Sequence, residues 1–403
     1  MITQKPGFLK ILFLTTHNLA TNPRLYKEIV LAIQAGHTVQ VICFSFNNWS
    51  ATINEQLKDN LADVNIIQLP AGKAPFFGWA WSVLKEKTFR IAGKYLSLNE
   101  AGLSQAITRR SSLLIDALQK ALKPDLVIGH NPGALWPAFK ASKKFNCRVG
   151  FDVEDYHPGE GNDKHIKEVQ KKIMVALLPQ MDYVSFAAPL IQQQVEADAG
   201  KPFKNSFTLL NYFPAVEFRQ PDDITDEKIQ LVWFSQNINA GRGLELILPI
   251  VKTIEKVTLH LIGNLENVFF ESHLKGITNI IIHPPMKQAD LHQVLSKFDI
   301  GLALDVPFDE NRDFVLSNKL LAYLQAGLYV VATDTLAQQA FLNSWQGHGE
   351  CFDYKINNAA IIIEKIIEKI AMIRSQKKAR YKAFEKNNWE AASLTLLKAW
   401  ANI

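Results

Sequence analysis

The 403-residue sequence predicts an α/β protein built from two doubly wound, parallel-sheet domains in succession. Three observations carry that expectation. Short apolar runs alternate with amphipathic segments along most of the chain, the pattern of parallel βαβ units. The alternation restarts after "YFPAVEFRQPDDITDEK", a Pro- and Asp-containing stretch suited to a linker. The length also exceeds what one hydrophobic core usually serves. The expected boundaries are 1–210 for the first domain, 211–228 for the linker, 229–384 for the second domain, and 385–403 for a terminal helix packing across both.

In the first domain, "KILFLTT" reads as a strand, "NPRLYKEIVLAIQAG" as a helix stopped by Gly36, and "HTVQVICFSF" and "NIIQLP" as further strands. "SSLLIDALQKALK" is a helix before the strand "PDLVIGH", and "ALWPAFKASKKFN" a helix before the strand "CRVGFDVED". "DYVSFAA" and "SFTLLN" complete the series. The second domain offers the strand "IQLVWFS", the helix "GRGLELILPIVKTI", and the strands "VTLHLIG" and "NIIIHPP". Next come the helix "QADLHQVLSKF", the strand "DIGLALD", the helix "NKLLAYLQAG" closed by Gly327, and the strand "LYVVAT". The last segment, "KKARYKAFEKNNWEAASLTLLKAWANI", is helical and carries Trp389 and Trp400.

Apolar content of 48%, charged content of 21% and a formal charge of +5 describe an ordinary soluble protein. No block of like charges points to nucleic acid. Cys43, Cys147 and Cys351 lie too far apart for a metal motif or a disulfide framework, which fits a reducing compartment. The opening "MITQKPGFLKILFLTTHN" has too short an apolar core for a signal peptide. No apolar run approaches the roughly 18–20 residues that span a bilayer. The expected location is therefore cytoplasmic, with any membrane contact peripheral, at the inner face of the plasma membrane. Residues 73–123 stand apart, with nine Lys or Arg against three acidic residues and "FFGWAWSVL" near their front. They read either as a helical excursion packing its aromatics inward or as an amphipathic surface lying on anionic lipid.

Several chemistries are disfavoured by missing motifs. There is no G-x-G-x-x-G after the first strand, no G-x-x-x-x-G-K-[ST] and no G-x-S-x-G. His130, His157, His165 and His283 lack paired metal spacing, and no metal is expected. What remains are loops at strand ends, where ligands of doubly wound domains bind. "WFSQNINAGRGLE" sets Ser235, Gln236 and Arg242 just after a strand and at a helix start. Glycines 241 and 243 there would let amides approach an anion that Arg242 holds bidentately. At Ser317, Asn318 and Lys319 a second helix begins with capping oxygens and a cation where the macrodipole is already positive. That placement makes sense if a phosphate arrives. In the first domain, Asn22 and Arg24 open the helix after strand one and would face the ligand cleft. His130 and Asn131 end another strand, while Asp152, Glu154, Asp155 and His157 cluster after a third. Such a cluster binds sugar hydroxyls or handles a proton.

Taken together, "TNPRLYKEIVLAIQAGHTVQVI", "KPDLVIGHNPGALWPA", "SQNINAGRGLELIL" and "SNKLLAYLQAGLYVVATD" resemble the GT-B glycosyltransferases, specifically their family-4-like retaining group. The likeness covers nearly the whole chain, and the last segment is its most specific part. It implies two Rossmann-like domains about a central cleft. The nucleotide-sugar donor would sit mainly on the C-terminal domain, with Ser235, Gln236, Arg242, Ser317, Asn318 and Lys319 around it. The acceptor, a glycan or a lipid-linked sugar, would sit on the N-terminal domain near Asn22, Arg24 and Asn131, with Glu154, Asp155 and His130 as the catalytic candidates. It further implies retention, no metal and no cofactor beyond the donor, and a role in bacterial cell-surface polysaccharide synthesis.

The chain departs from the family pattern in two places. The family's pair of glutamates, eight positions apart, is replaced by Phe314 and Ala322. The second glutamate ordinarily grips the ribose, a charge-assisted contact of about 1.5–3 kcal/mol, or roughly tenfold to a hundredfold in affinity. Glu154 also stands where many relatives carry a histidine. Two other readings therefore stay open: a degenerate, non-catalytic GT-B protein that binds glycan or scaffolds a partner, and a sugar-nucleotide epimerase on the same fold.

Overall fold

The computed structural model describes residues 7–73, 75–223 and 226–402. It divides into two units, Met1–Leu210 with Ser393–Ile403, and Asn211–Ala392. The first six residues of the N-terminal stretch, and Ile224 and Thr225 of the expected linker, lie outside the described residues.

The first unit holds a seven-stranded sheet: β1 (Lys10–Thr15), β2 (Thr38–Ser45), β3 (Asn65–Pro70), β4 (Leu126–His130), β5 (Arg148–Val153), β6 (Tyr183–Phe186) and β7 (Ser206–Thr208). The strand order is β3-β2-β1-β4-β5-β6-β7, with every pairing parallel. Ile11 to Leu14 are buried in succession because helices cover both faces of a parallel sheet, so its strands read as unbroken apolar runs. The helix Pro23–Gln34 starts where expected. Asn22 accepts from the Leu25 amide, and Pro23 takes the first position, where its missing N–H costs nothing. Residues 73–123 form three helices, Phe76–Ala92, Glu100–Ile107 and Arg110–Ala117, the last shorter than the sequence suggested. The helix Lys164–Leu177, capped by Asp163, falls where the sequence reading set no element. Trp400 of the final helix is buried against this unit, its indole N–H donating to the Tyr183 hydroxyl at 3.0 Å.

The second unit holds six parallel strands: β8 (Ile229–Ile238), β9 (Val257–Leu265), β10 (Ile280–His283), β11 (Ile300–Ala303), β12 (Tyr329–Thr333) and β13 (Gly349–Phe352). Their order is β10-β9-β8-β11-β12-β13. β13 was not anticipated, since "GECF" is short and half polar. Residues 211–228 are not a free linker but part of this unit. Phe213 and Phe218 are buried, the Phe213 amide donates to Gln325 Oε1 at 3.0 Å, and Glu217 is hydrogen-bonded to His292 at 2.6 Å. Two buried aromatic rings outweigh the turn-forming residues around them. The terminal helix is Trp389–Ala401, starting after the expected 385; its residues to 392 group with the second unit and those from 393 with the first.

The helix Asn318–Gln325 lies on β11 because Gly301 leaves room for Tyr323. A Cβ at 301 would come within 2.2 Å of the Tyr323 ring. Gly301→Ala is therefore expected to cost about 1–3 kcal/mol of stability or more through overpacking. Urea unfolding of the variant measures it; an unchanged midpoint would show that the helix does not rest on this strand.

Candidate functional site

In each unit the strand order reverses at one place, and there the carboxyl ends of two neighbouring strands splay their loops apart. Ligands of doubly wound sheets bind at such a point. In the second unit it lies between β8 and β11. β8 runs on to Ile238, so Ser235 and Gln236 sit within the strand rather than after it. The register against β9 shifts between Phe234 and Asn237, which makes them part of a bulge. The turn that follows brings Arg242 back over this bulge. Its Nε donates to Asn239 Oδ1 at 3.1 Å and its Nη1 to Ser235 Oγ at 3.3 Å, while the residue stays exposed. A guanidinium has five N–H donors, so most of this one is left for a ligand. Gly243 packs directly on the loop after β11: a Cβ there would lie 2.7 Å from Leu304 Cβ. The Arg242 turn and the β11 loop are thus in contact.

The next residue of that loop, Asp305, faces Lys319, with Oδ1 3.7 Å from the ammonium, and the ammonium also lies 5.8 Å from the centre of the Trp233 indole. Asp305 Oδ2 and Trp233 Nε1 are buried and make no hydrogen bond within the described protein. Arg242 and Lys319 therefore flank one strand-end junction, as a pyrophosphate would require. Two local expectations need correction. Ser317 does not cap the helix Asn318–Gln325, and Asn318 Oδ1 instead accepts from Asn211 Nδ2 at 2.9 Å, so no side chain covers the first amides of this helix. The Gly241 amide is taken by Glu245 Oε1 at 2.7 Å, because the glutamate one turn on reaches back to the nearest donor. Gln236 is exposed, with its carbonyl accepting from Asn264. Ala322 is fully buried in the helix, and Phe314 is half-buried at the end of a short turn, Asn311–Phe314. Asp305 is thus the carboxylate beside Lys319, and sequence reasoning had not singled it out.

In the first unit the reversal lies between β1 and β4. Thr15 Oγ1, at the end of β1, donates to Asn131 Oδ1, just past β4, at 2.6 Å. His130 is completely buried. Its Nδ1 is 3.0 Å from Glu154 Oε1 and 3.6 Å from Asp152 Oδ2, and its Nε2 is 3.4 Å from Glu28 Oε2. Asp152 is buried as well, held by Arg24 Nε at 2.7 Å, Arg24 Nη2 at 2.6 Å and the Ser185 hydroxyl at 2.6 Å. Arg24 spends its remaining arm on the Leu209 carbonyl at 2.8 Å. The acceptor role expected of Arg24 and Asn22 is therefore corrected. A buried carboxylate needs its counter-ion, and Asn22, fully buried, is a helix cap. Asn131, nearly buried, is likewise committed to Thr15, and His130 reaches solvent at no point. Glu154 and Asp155 alone of this candidate set keep partial exposure. Glu28 was missed, although an acidic residue four after Arg24 on the apolar face of its helix is a readable signal.

The electrostatics follow from burial and neighbours. Burial opposes a charge on His130, but Glu28, Glu154 and Asp152 outweigh it and raise the imidazolium's pKa to about 10. Burial raises Glu28, and Asp152 adds to the rise against the pull of His130 and Arg24. Burial would raise Asp152 too, yet Arg24 brings it below the ordinary carboxylate value. Metal-ligating atoms of Glu28, His130 and Asp152 lie within 4.8 Å of one another, as do those of Asp155, His157 and Glu160. Both sets are already paired internally, the second through a 2.7 Å contact between His157 Nδ1 and Glu160.

Two outcomes follow for this cluster. Arg24→Met should destabilise the protein by about 3–5 kcal/mol, the cost of stranding a buried charge. Pairing it with Asp152→Leu should recover much of that loss in urea titrations. The His130 contribution is fully present below pH 6.5 and is lost as pH rises through about 10. Unfolding free energy should accordingly fall across that window, and His130→Gln should flatten the slope.

No protein-family model matches this sequence, and no curated protein matches it. Solved structures do. The chain is similar to Anabaena HepE in complex with UDP, at 13% identity and a TM-score of 0.67, covering 98% of this chain and 100% of that one. It is similar to a glycosyltransferase from Rickettsia africae, at 11% identity and a TM-score of 0.69, covering 98% of both. A sucrose-phosphate synthase from Thermosynechococcus elongatus matches at 13% identity and a TM-score of 0.66, again covering 98% of both. At this identity the likeness is one of fold, and it is the GT-B fold.

Proposed function

We propose that this chain is a glycosyltransferase that moves a sugar from a nucleotide-sugar donor, held by the second unit, to a glycan or lipid-linked acceptor. The observation that carries the reading is that Arg242, on the turn after β8, and Lys319, in the first turn of the helix that follows the β11 loop, both lie where strand order reverses, with Gly243 packed on Leu304 and Lys319 facing Asp305. Neighbours of the same fold hold UDP, and one was solved with UDP-glucose. Glycosyl transfer develops negative charge on the departing nucleoside diphosphate. Two cations and an uncovered helix start stabilise that charge directly, without a metal ion or other cofactor. Retention, on this reading, has the acceptor hydroxyl attack from the leaving-group side, helped by a phosphate oxygen. Glu154, partly exposed and hydrogen-bonded to His130, is the first-unit carboxylate best suited to meet acceptor hydroxyls, with Asp155 beside it in sequence. The role is the building of a bacterial cell-surface polysaccharide, by a cytoplasmic protein in peripheral contact with the inner face of the plasma membrane.

UDP, GDP and ADP compounds, titrated while thermal unfolding is followed, test the reading. A ligand at a hundredfold over its dissociation constant adds about 2.7 kcal/mol. One nucleotide series should stabilise the protein, and Arg242→Ala and Lys319→Ala should each weaken it by about tenfold to a hundredfold. No shift with any of them would overturn the proposal.

Phe314 and the buried Ala322 favour a second reading, a GT-B protein that binds nucleotide or glycan without transfer. Transfer from a labelled donor, abolished in the Arg242 and Lys319 variants, would eliminate it.

A further inference from the structure

The helix Phe76–Ala92 is amphipathic in the wrong sense for a soluble protein. Two of its charged groups, Glu86 and Arg90, are tied to the neighbouring helices. Glu86 accepts from the Arg109 amide at 2.7 Å and pairs with Arg90 at 2.9 Å, while Arg90 donates to the carbonyls of Ala106 and Ile107. A stripe of its apolar groups points outward. Phe77 is 87% exposed, Trp81 59%, Leu84 55% and Ile91 61%, and Tyr95 just beyond the helix is 81% exposed. With Thr88 between them, these positions repeat at intervals of four and three, which puts them on one face. A helix normally buries such a stripe, and an exposed one of this extent marks an interaction surface.

Charge decides what covers it. Between residues 73 and 96 the chain carries Lys73, Lys85, Lys87, Arg90 and Lys94 against the single acidic Glu86, which is turned inward. Lys85 lies 5.4 Å from the Trp81 ring, and Lys87 and Lys94 are exposed. Pairing this face with a second copy of itself would bring like charges together, whereas an anionic lipid surface complements them. Aromatic rings flanked by lysines are also what settles at the headgroup level of a bilayer. Beside the first turn of the helix lies an apolar slot of about 260 Å³, lined by Leu69, Trp79 and Leu113 with Arg109, Asp116 and Lys120. No helix among the described residues is long and apolar enough to cross a membrane, so the contact is one of lying on the surface.

We propose that the outer face of this helix docks on an anionic phospholipid leaflet, with the slot beside it receiving a hydrocarbon chain from that leaflet. The chain's identity as that of a lipid-linked acceptor rests on the transferase reading above; the leaflet contact does not. Of the two readings open for residues 73–123, the exposed stripe favours the membrane one.

The test is sedimentation of the full-length protein with vesicles of phosphatidylcholine alone or in equal mixture with phosphatidylglycerol. The protein should bind the anionic vesicles at least about tenfold more tightly, and added salt should weaken that binding. Phe77→Ser with Trp81→Ser should abolish binding, and Lys87→Glu with Lys94→Glu should remove its preference for anionic lipid. Both double variants change exposed side chains only, so their thermal unfolding midpoints, and the shift given by whichever nucleoside diphosphate stabilises the parent, should match the parent's and report intact folding. A parent protein that stays in the supernatant overturns the proposal, as do stripe variants that bind like the parent. So does a dimer, seen by sedimentation velocity, that the stripe variants dissolve. If none of the UDP, GDP and ADP compounds gives a shift while vesicle binding follows the expected pattern, the leaflet surface stands and the transferase reading falls.

Discussion

The second unit depends on one constraint: where β8 and β11 lie side by side, the chain must leave them in opposite directions. A helix follows on each side, and the space between the two departures cannot be filled by either. What lines that space is decided by the loops. Here the turn after β8 brings a guanidinium from one side and the helix start after the β11 loop an ammonium from the other, and Gly243 packs against Leu304 where the two loops meet. Neither cation is fully neutralised: Arg242 leans on neutral oxygens, and Lys319 has Asp305 at 3.7 Å, longer than a good charge-assisted bond. A bare protein gains little from gathering two positive groups at a helix start. On the proposed reading, a bound pyrophosphate is what would make the arrangement favourable.

The first unit uses the equivalent junction differently. Between β1 and β4 it buries a network of Arg24, Glu28, His130 and Asp152, with Glu154 at its edge. Such a network specifies geometry more than it adds stability, because desolvation consumes much of what pairing returns. Its effect is to fix the ends of β4 and β5 and to hold Glu154 in one orientation. The acceptor side of the proposed reaction is accordingly a rigid platform with one carboxylate presented by a charged histidine, whereas the donor side keeps its cations available.

Much of the fold was legible because parallel strands covered on both faces are written as apolar runs, unbroken in "ILFL" of β1, "VICF" of β2, "LVI" of β4, "LVWF" of β8 and "YVVA" of β12. β13 was not, because an edge strand of four residues with a glutamate carries no such run. The linker was misread because turn-forming residues are visible in sequence, while the burial of Phe213 and Phe218 depends on partners far along the chain. The same limit governed the site. Arg242 and Lys319 could be picked out from strand-end position alone. That Arg24 serves Asp152, 128 residues away, rather than a ligand, depends on which strand lies beside which. Asp305 was overlooked because a lone aspartate after a strand looks like any cap.

The most direct test of the account is a crystal structure of this chain with whichever of UDP, GDP and ADP stabilises it. The account predicts both phosphates at the junction of β8 and β11, within salt-bridge distance of the Arg242 guanidinium and the Lys319 ammonium and against the first amides of the helix Asn318–Gln325. A nucleotide bound elsewhere, or with its phosphates contacting neither cation, would contradict it.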